Sequence, residues 1–232
     1  MLKIRASQQR GHANHGWLDS YHSFSFANYY DPQHMGFRAL RVINEDRIAG
    51  GGGFGEHPHN DMEIITYVTE GALEHRDTLG NSTAILAGDV QRMSAGTGIR
   101  HSEFNHFKDR STRLLQIWIL PERTGIAPGY EQKSFLDAFK QQSFVLVASQ
   151  DGRENSVSLH QDVNIYAGKF KQGQQHDITL LNHRHGWLQM IDGNLRINEH
   201  QLIRGDGVAI SEENMLRLEA LSDAEFLFFD LA

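Results

Sequence analysis

Two short stretches of the chain each place two metal-capable side chains one residue apart, His57-Pro58-His59 and His101-Ser102-Glu103. In a β-strand, side chains at i and i+2 leave the same face, so each pair can direct both of its members to one point inside a sheet or barrel. Two facing strands would then supply three imidazoles and one carboxylate. Such a donor set suits a divalent transition metal and leaves coordination positions for water or substrate.

The residues around the two pairs follow a spacing that is more specific than the pairs themselves. The first motif runs from Gly51 through the histidine pair to Glu63 and Gly71, and the second runs from Gly88 through Ser94-Ala95-Gly96 to His101 and Asn105. Together they resemble the two consensus motifs of the cupin superfamily, whose small antiparallel β-barrels hold a metal in their mouths. The departures are a Gly71 that comes one residue late, a serine where proline is usual, and four residues between Gly96 and His101.

Longer strings narrow the resemblance to one branch of that superfamily. They are GHANHGWLDSYHSFSFANYYDP, FGEHPHNDMEIITYVTEG, MSAGTGIRHSEFN and LQIWILP. These strings resemble the pirin family of bicupins through about the first half of the chain, and the resemblance continues more weakly to the end. It implies an all-β fold of two tandem cupin domains, each a jelly-roll-like antiparallel β-barrel.

The pattern of apolar runs and turn residues favours an all-β barrel or sandwich without reference to any family. The candidate strands are 39–43, 64–68, 73–76, 90–93, 101–105 and 114–119. After Pro121 the pattern changes to a segment with two glycines and a proline, followed by a predicted helix over Gln132 to Phe139. We therefore expect an N-terminal metal-binding domain over residues 1–130 and a C-terminal domain over residues 131–232.

The second half of the chain repeats the first in degraded form. The run from Trp187 to Gly193 parallels the run from Ile65 to Gly71. When the two glycines are aligned, the places of the first histidine pair fall on Thr179 and Leu181. The C-terminal domain is therefore predicted to be a degenerate cupin without metal ligands.

Several other histidines are interpreted as ordinary polar surface. His183 and His185 form another pair, but they lie too near the strand to match the first motif, and no histidine follows Ser211. His75 and His106 stand in charged or loop-like surroundings. Aromatic residues near the motifs fit either a ligand pocket or the core equally well; these are Phe24, Phe26, Phe54, Phe104 and Trp118.

Two carboxylates compete for the fourth ligand position. Glu63 occupies the place of the usual cupin glutamate, and it shares strand parity with the first histidine pair if the strand stays regular. The pirin resemblance instead implies the ligand set His57, His59, His101 and Glu103. Parity also supports Glu103, which must point the same way as His101. Glu63 then becomes a group that orients a ligand or holds the strand.

The pirin resemblance implies quercetin 2,3-dioxygenase activity, in which O₂ opens a flavonol ring and carbon monoxide is lost. One divalent ion, of Fe, Ni, Cu, Mn, Co or Zn, would be the cofactor. It would lower the pKa of the bound 3-hydroxyl of the substrate, for which Glu103 is the natural base. A flat polyphenol also needs an apolar slot.

Two other functions remain open. Some pirins act as regulators, so the chain is alternatively a non-enzymatic, metal-dependent binding protein that acts through a protein partner. A sugar isomerase or epimerase is less favoured, because sugar phosphates require basic pocket residues and only Arg92 and Arg100 lie near the motifs. A deep aromatic pocket would favour the oxygenase, and a large exposed apolar patch would favour the binding protein.

Composition excludes several further classes. The formal net charge of −7 argues against nucleic acid as a partner, since phosphate-backbone binding requires a basic face. With no cysteine, the chain has no disulfide, no thiolate ligand and no cysteine nucleophile. Gly50 to Gly53 lack the lysine of a phosphate-binding loop. No membrane segment is expected, and we interpret the protein as soluble and cytoplasmic.

Overall fold

The computed structural model describes residues 1–232 and consists almost entirely of antiparallel β-strands, which confirms the predicted all-β class. The chain forms two compact units. The N-terminal unit comprises Gly11–Leu136 and Val157–Gln161. The C-terminal unit comprises Met1–Arg10, Asp137–Ser156 and Asp162–Ala232.

The strands are short and closely spaced along the chain. In order they are β1 (Leu2–Arg5), β2 (Gly11–Asn14), β3 (Leu18–His22), β4 (Leu40–Ile48), β5 (Gly53–His59), β6 (Glu63–Glu70), β7 (Ala72–Asp77), β8 (Ser82–Leu86), β9 (Asp89–Ser94), β10 (Ile99–Asn105), β11 (Thr112–Ile119), β12 (Gly129–Ser134), β13 (Phe144–Ser149), β14 (Val157–Ser158), β15 (Val163–Phe170), β16 (Gln175–Thr179), β17 (His185–Asp192), β18 (Asn194–Ile197), β19 (His200–Ile203), β20 (Gly207–Ile210), β21 (Met215–Ala220) and β22 (Ala224–Leu231).

Helical structure is limited to one α-helix and two 3₁₀ turns, namely α1 (Leu136–Gln141), Ser7–Gln9 and Arg153–Asn155. None of these segments has the length or the apolar character needed to cross a membrane.

Two sheets build the N-terminal unit. One has the strand order β12-β9-β6-β11-β4-β3-β2, and the other has the order β5-β10-β7-β8. In β6, every side chain from Glu63 to Val68 is buried, as expected for a central strand covered on both faces. The candidate metal ligands lie on the smaller sheet, on β5 and β10.

The C-terminal unit repeats this arrangement. The strands of this unit in the larger sheet run in the order β1-β20-β17-β22-β15-β13, and its smaller sheet runs in the order β16-β21-β18-β19. The run β20-β17-β22-β15-β13 has the same topology as β9-β6-β11-β4-β3 in the N-terminal unit. Gly71 and Gly193 each follow the central strand, with φ of 81° and 73°. Only glycine adopts this backbone conformation without strain, which accounts for the repeated glycine in the sequence.

The predicted helix over Gln132 to Phe139 is wrong in its first half and confirmed from Leu136 onward. Residues Gly129–Ser134 form β12, which pairs along its whole length with β9, and the helix begins only at Leu136. Pairing with a neighbouring strand satisfies the backbone of this segment, and a single-sequence pattern cannot anticipate that tertiary contact.

The predicted division of the chain after residue 130 stays a prediction. Relative to that division, residues 1–10 lie with the C-terminal unit and residues 157–161 lie with the N-terminal unit.

Candidate metal centre

The two histidine-bearing stretches lie on neighbouring antiparallel strands. His57 on β5 is paired directly with His101 on β10. A β-bulge then shifts the β5–β10 register between His101 and Glu103. The pairing of β10 with β7 on its other side is continuous, so His101 and Glu103 keep the same face, and both are buried. The parity argument from sequence therefore holds on β10.

The three histidines converge. One ring nitrogen from each of His57, His59 and His101 lies within 4.8 Å of the others. The Nε2 atoms of His57 and His101 are 3.0 Å apart. The ring centroids of His59 and His101 are 4.9 Å apart, at an interplanar angle of 68°. Three imidazole nitrogens so close together can bind one metal ion.

The protonation states of these histidines suit metal binding. His57 Nδ1–H donates a hydrogen bond of 2.8 Å to the Gly55 carbonyl, which leaves the Nε2 lone pair directed at the cluster. Burial, followed by the neighbouring histidines, lowers the pKa of His59 to about 4 and that of His101 to about 3. Both rings are therefore neutral at neutral pH, as a metal ligand must be.

Glu103 is held from behind by two side chains of the larger sheet. Gln116 Nε2 donates to Oε2 at 2.9 Å, and Thr66 Oγ1 lies 3.5 Å from Oε1. Thr66 Oγ1 donates a hydrogen bond of 2.8 Å to Oε1 of the Gln116 side chain. One ligand atom from each of Glu103, His101 and His75 lies within 4.8 Å of the others. These three residues form a second metal-capable set, which shares only His101 with the three-histidine cluster.

His75 contradicts the expectation of a surface residue. It is fully buried, its Nε2–H donates to Asp77 at 2.9 Å, and its Nδ1 has no partner. Alternation along β7 offered a signal, because Leu73, His75 and Asp77 share one face and Leu73 belongs to the core. The charged neighbours Glu74 and Arg76 leave the other face.

Glu63 lies in neither metal-capable set. Its Oε2 accepts hydrogen bonds from the backbone N–H of His160 at 3.1 Å and from His160 Nδ1 at 3.3 Å, while Oε1 is buried without a partner. The glutamate at the usual cupin ligand position therefore holds the segment Val157–Gln161 against β6. This agrees with its interpretation as a group that holds a strand.

A cavity of about 540 Å³ opens beside the cluster, and His57, His59 and Glu103 line it. This volume falls in the range typical of small-molecule sites. Four aromatic side chains form its walls, and they are Trp17, Phe26, Phe54 and Trp118. They contact one another and the histidines edge-on, with ring centroids 5.0 Å apart for His59 and Trp118.

Of the five aromatic residues considered from sequence, Phe26, Phe54 and Trp118 line the cavity. Phe24 is buried in the core, and Phe104 is exposed. The sequence did not single out Trp17.

The floor of the cavity is polar, and sequence reasoning missed it. Ser20 and His22 on β3 and Asn44 and Asp46 on β4 all line the cavity and are all buried. Burial raises the pKa of Asp46 to about 7, against the opposing hydrogen bond from Ser20 and with a smaller contribution from the charge of Glu103. The signal was the alternation of polar residues in LDSYH and RVINEDR, which resembles an ordinary solvated strand face.

These residues fit a divalent transition metal. The Nδ1 atoms of His101 and His75 are buried without hydrogen-bond partners, and neutral imidazoles with a buried carboxylate are the donors that such ions prefer. By contrast, His183 and His185 belong to no metal-capable set, and His185 Nδ1 lies 2.8 Å from Ser211 Oγ.

Two β units with repeated topology, one of them carrying a histidine cluster at a cavity, define a bicupin with a candidate metal site. Residues 3–119 match the family model described as Pirin, and residues 146–231 match the model described as Quercetinase C-terminal cupin domain. The chain belongs to the pirin family, which confirms the resemblance seen in the sequence.

Individual relatives agree along the whole chain. A protein named quercetin 2,3-dioxygenase from Escherichia coli (strain K12) is 51% identical over 231 residues, which cover 100% of this chain and 99% of that protein. A pirin-like protein from Caulobacter vibrioides is 42% identical and is covered completely. The crystal structure of bacterial pirin YhhW from Escherichia coli in complex with nickel(II) superposes with a TM-score of 0.95 at 50% identity, covering 100% of this chain and 99% of that one. The expected two-cupin fold is thereby confirmed.

Proposed function

We propose that this protein is a metal-dependent dioxygenase that opens the ring of flavonols such as quercetin with O₂, releasing one carbon as carbon monoxide. The observation that carries this proposal is the three-histidine cluster that opens, together with a buried carboxylate, onto an aromatic-walled cavity of about 540 Å³. A flat aromatic substrate needs such a slot, and the cluster lies at its wall.

In this proposal, His57, His59, His101 and Glu103 hold one divalent ion. When bound, the ion supplies a Lewis acid that lowers the pKa of a coordinated hydroxyl. The Escherichia coli pirin whose crystal structure was determined in complex with nickel(II) supports a divalent ion as the cofactor. Iron, nickel, copper, manganese, cobalt and zinc all accept these donors, so metal supply decides among them.

Glu103 is the proposed base that accepts the proton of the flavonol 3-hydroxyl. The amide of Gln116 holds Oε2, and the weaker contact from Thr66 leaves Oε1 the freer oxygen. Trp17, Phe26, Phe54 and Trp118 exclude water from the substrate rings and fix their plane. A water-poor site strengthens the electrostatic interactions of the carboxylate with the reacting hydroxyl.

The names of relatives support the same reaction. The Escherichia coli protein that shares 51% of its residues is named quercetin 2,3-dioxygenase. The C-terminal half of this chain matches a family model that carries the name quercetinase.

The test is flavonol consumption and carbon monoxide release by protein reconstituted with each metal in turn, with His101→Ala as the control. We expect turnover with at least one metal and none in the control. Glu103→Gln should lose far more turnover than flavonol binding, because the amide cannot accept the proton.

The alternative is a regulatory binding protein that acts through a protein partner. Turnover no higher than the His101→Ala control with every metal, together with metal-dependent recovery of a partner by the same protein, would replace the enzyme with that alternative. The cavity itself favours the oxygenase, since a surface that recognises a protein does not need a deep aromatic slot.

A further inference from the structure

Two side chains on the cavity floor each present one polar atom that the protein leaves without a partner. Asn44 and Asp46 lie two residues apart on β4, so they leave the same face of the strand. Both are buried, with 3% and 4% of their surface exposed, and both line the cavity.

In each residue, a neighbour on β3 fixes one of the two terminal atoms. His22 Nδ1–H donates to Asn44 Oδ1 at 2.8 Å, and Ser20 Oγ donates to Asp46 Oδ1. These are the hydrogen bonds that the two side chains make to the protein. The amide nitrogen of Asn44 and the second oxygen of Asp46 are therefore held in place and remain free to bind a ligand.

Asn44 and Asp46 line the cavity, and neither free atom is among the buried side-chain atoms that lack a partner, so both atoms are accessible from the cavity and not sealed in the core. Neither residue belongs to a metal-capable set. Gln116, the cross-strand neighbour of Asn44, already gives its amide nitrogen to Glu103. The two free atoms thus lie in the same cavity as the proposed base and are not used by it.

We propose that Asn44 and Asp46 form a recognition subsite for the ring hydroxyls of the substrate, separate from the oxygen presented to the histidine cluster. This inference rests on the proposed flavonol substrate and deepens it. The amide nitrogen of Asn44 donates to one hydroxyl oxygen, and Oδ2 of Asp46, in the carboxylate form of this side chain, accepts from a hydroxyl. The subsite therefore selects polyhydroxylated flavonols over flavonols that carry the 3-hydroxyl alone.

The test is anaerobic titration of the metal-loaded protein with quercetin and with 3-hydroxyflavone, followed by quenching of tryptophan fluorescence. Without O₂ there is no turnover, so the readout is affinity. We expect the native protein to bind quercetin about tenfold more tightly or better, since each added hydrogen bond contributes about 1 kcal/mol.

Asp46→Asn and Asn44→Asp change the free atom and keep the oxygen that binds Ser20 or His22. Each should lower the preference for quercetin to about threefold or less, with the affinity for 3-hydroxyflavone unchanged. Glu45→Gln is the matched control. It makes the same change from carboxyl to amide one residue away, on the other face of β4, and should keep the native preference.

A second measurement needs no variant. Quercetin methylated on every hydroxyl except the 3-hydroxyl should bind the native protein no better than 3-hydroxyflavone. An unchanged preference in both variants, or a native protein that does not prefer quercetin, overturns the subsite. Carbon monoxide release by the native protein reports separately on the proposed function. If the native protein releases carbon monoxide but both variants keep the preference for quercetin, only the subsite is contradicted. If the variants lose the preference but the native protein releases no carbon monoxide, only the dioxygenase is contradicted.

Discussion

The two units place very different side chains at equivalent positions of their larger sheets. In the N-terminal unit, one in-register row crosses five strands and is entirely polar, consisting of Gln91, Thr66, Gln116, Asn44 and His22. The equivalent row of the C-terminal unit consists of Val208, Leu188, Phe228, Tyr166 and Leu146. Two residues along β4, Asp46 corresponds to Gly168 on β15, whose Cα is covered by the ring of Phe226.

The comparison shows that this strand order does not itself require a polar row. The C-terminal unit builds the same strand order with an apolar interior, in which Leu188, Val208 and Phe228 share one core cluster. Burying five polar side chains is unfavourable unless each is paired. Four members of the N-terminal row line the cavity or contact Glu103, so the row serves the histidine cluster and the cavity, and the stability of that unit rests on its other core residues.

The largest expected effect is loss of the metal from the N-terminal unit. Replacing His101 by Ala should reduce bound metal from one equivalent to none, because His101 belongs to both metal-capable sets. Elemental analysis of the purified variant measures this. The matched control replaces both His183 and His185 by Ala and should keep the full equivalent. Two equivalents in the native protein, with one lost in that control, would contradict the asymmetry between the units.

A polar residue placed in the apolar row should destabilise the C-terminal unit. Phe228→Gln removes a fully buried ring and leaves an amide without a partner, so we expect a loss of about 4 kcal/mol in the free energy of unfolding. Urea denaturation monitored by circular dichroism measures it. A loss below about 1 kcal/mol would mean that this interior accepts polar groups as readily as its counterpart does.

The reverse substitution in the N-terminal unit should affect the metal more than the fold. Gln116→Leu removes the donor that holds Glu103 Oε2 and should weaken metal affinity about 10- to 100-fold. Competition with a chromophoric chelator gives the affinity. The matched control is Arg113→Lys on the same strand, which should leave the affinity unchanged. Trp118 also lies on β11, but it lines the cavity and is therefore unsuitable as a control.

Asp46 should impose a pH dependence that the C-terminal unit lacks. Its pKa is about 7 in the folded protein against 3.8 in the unfolded chain, so the folded state favours the neutral acid. This contribution to stability is complete below about pH 4 and is lost as the pH rises through 7, by at most about 1.4 kcal/mol per pH unit. The difference in unfolding free energy between native and Asp46→Asn metal-free protein, measured from pH 4 to 8, should show this slope. A flat difference would contradict the raised pKa.

Sequence carried the fold class and the three clustered histidines because both depend on local patterns. Residues two apart on one strand share a face, and glycines at fixed distances mark the turns of the family. The strand at Gly129–Ser134 was missed because it depends on a partner strand distant in sequence. The polar row was missed for the same reason, since it exists only when the register of five strands is known. The burial of His75 was missed although alternation along β7 offered a signal, because its charged neighbours Glu74 and Arg76 resemble those of a surface strand.

The pairing of β1 with β20 has a consequence for the order in which the protein acquires its structure. Leu2 pairs with Ile210, so β1, which is synthesised before β2 to β12, completes a sheet whose other strands are synthesised after them. Closing so long a loop is slow, whereas the strands β2 to β12 can associate while the remainder is still being synthesised. Until β1 pairs with it, β20 presents an unpaired edge that can recruit strands from other chains. Removing residues 1–10 would make that exposed edge permanent, and aggregation of the C-terminal unit is the expected result.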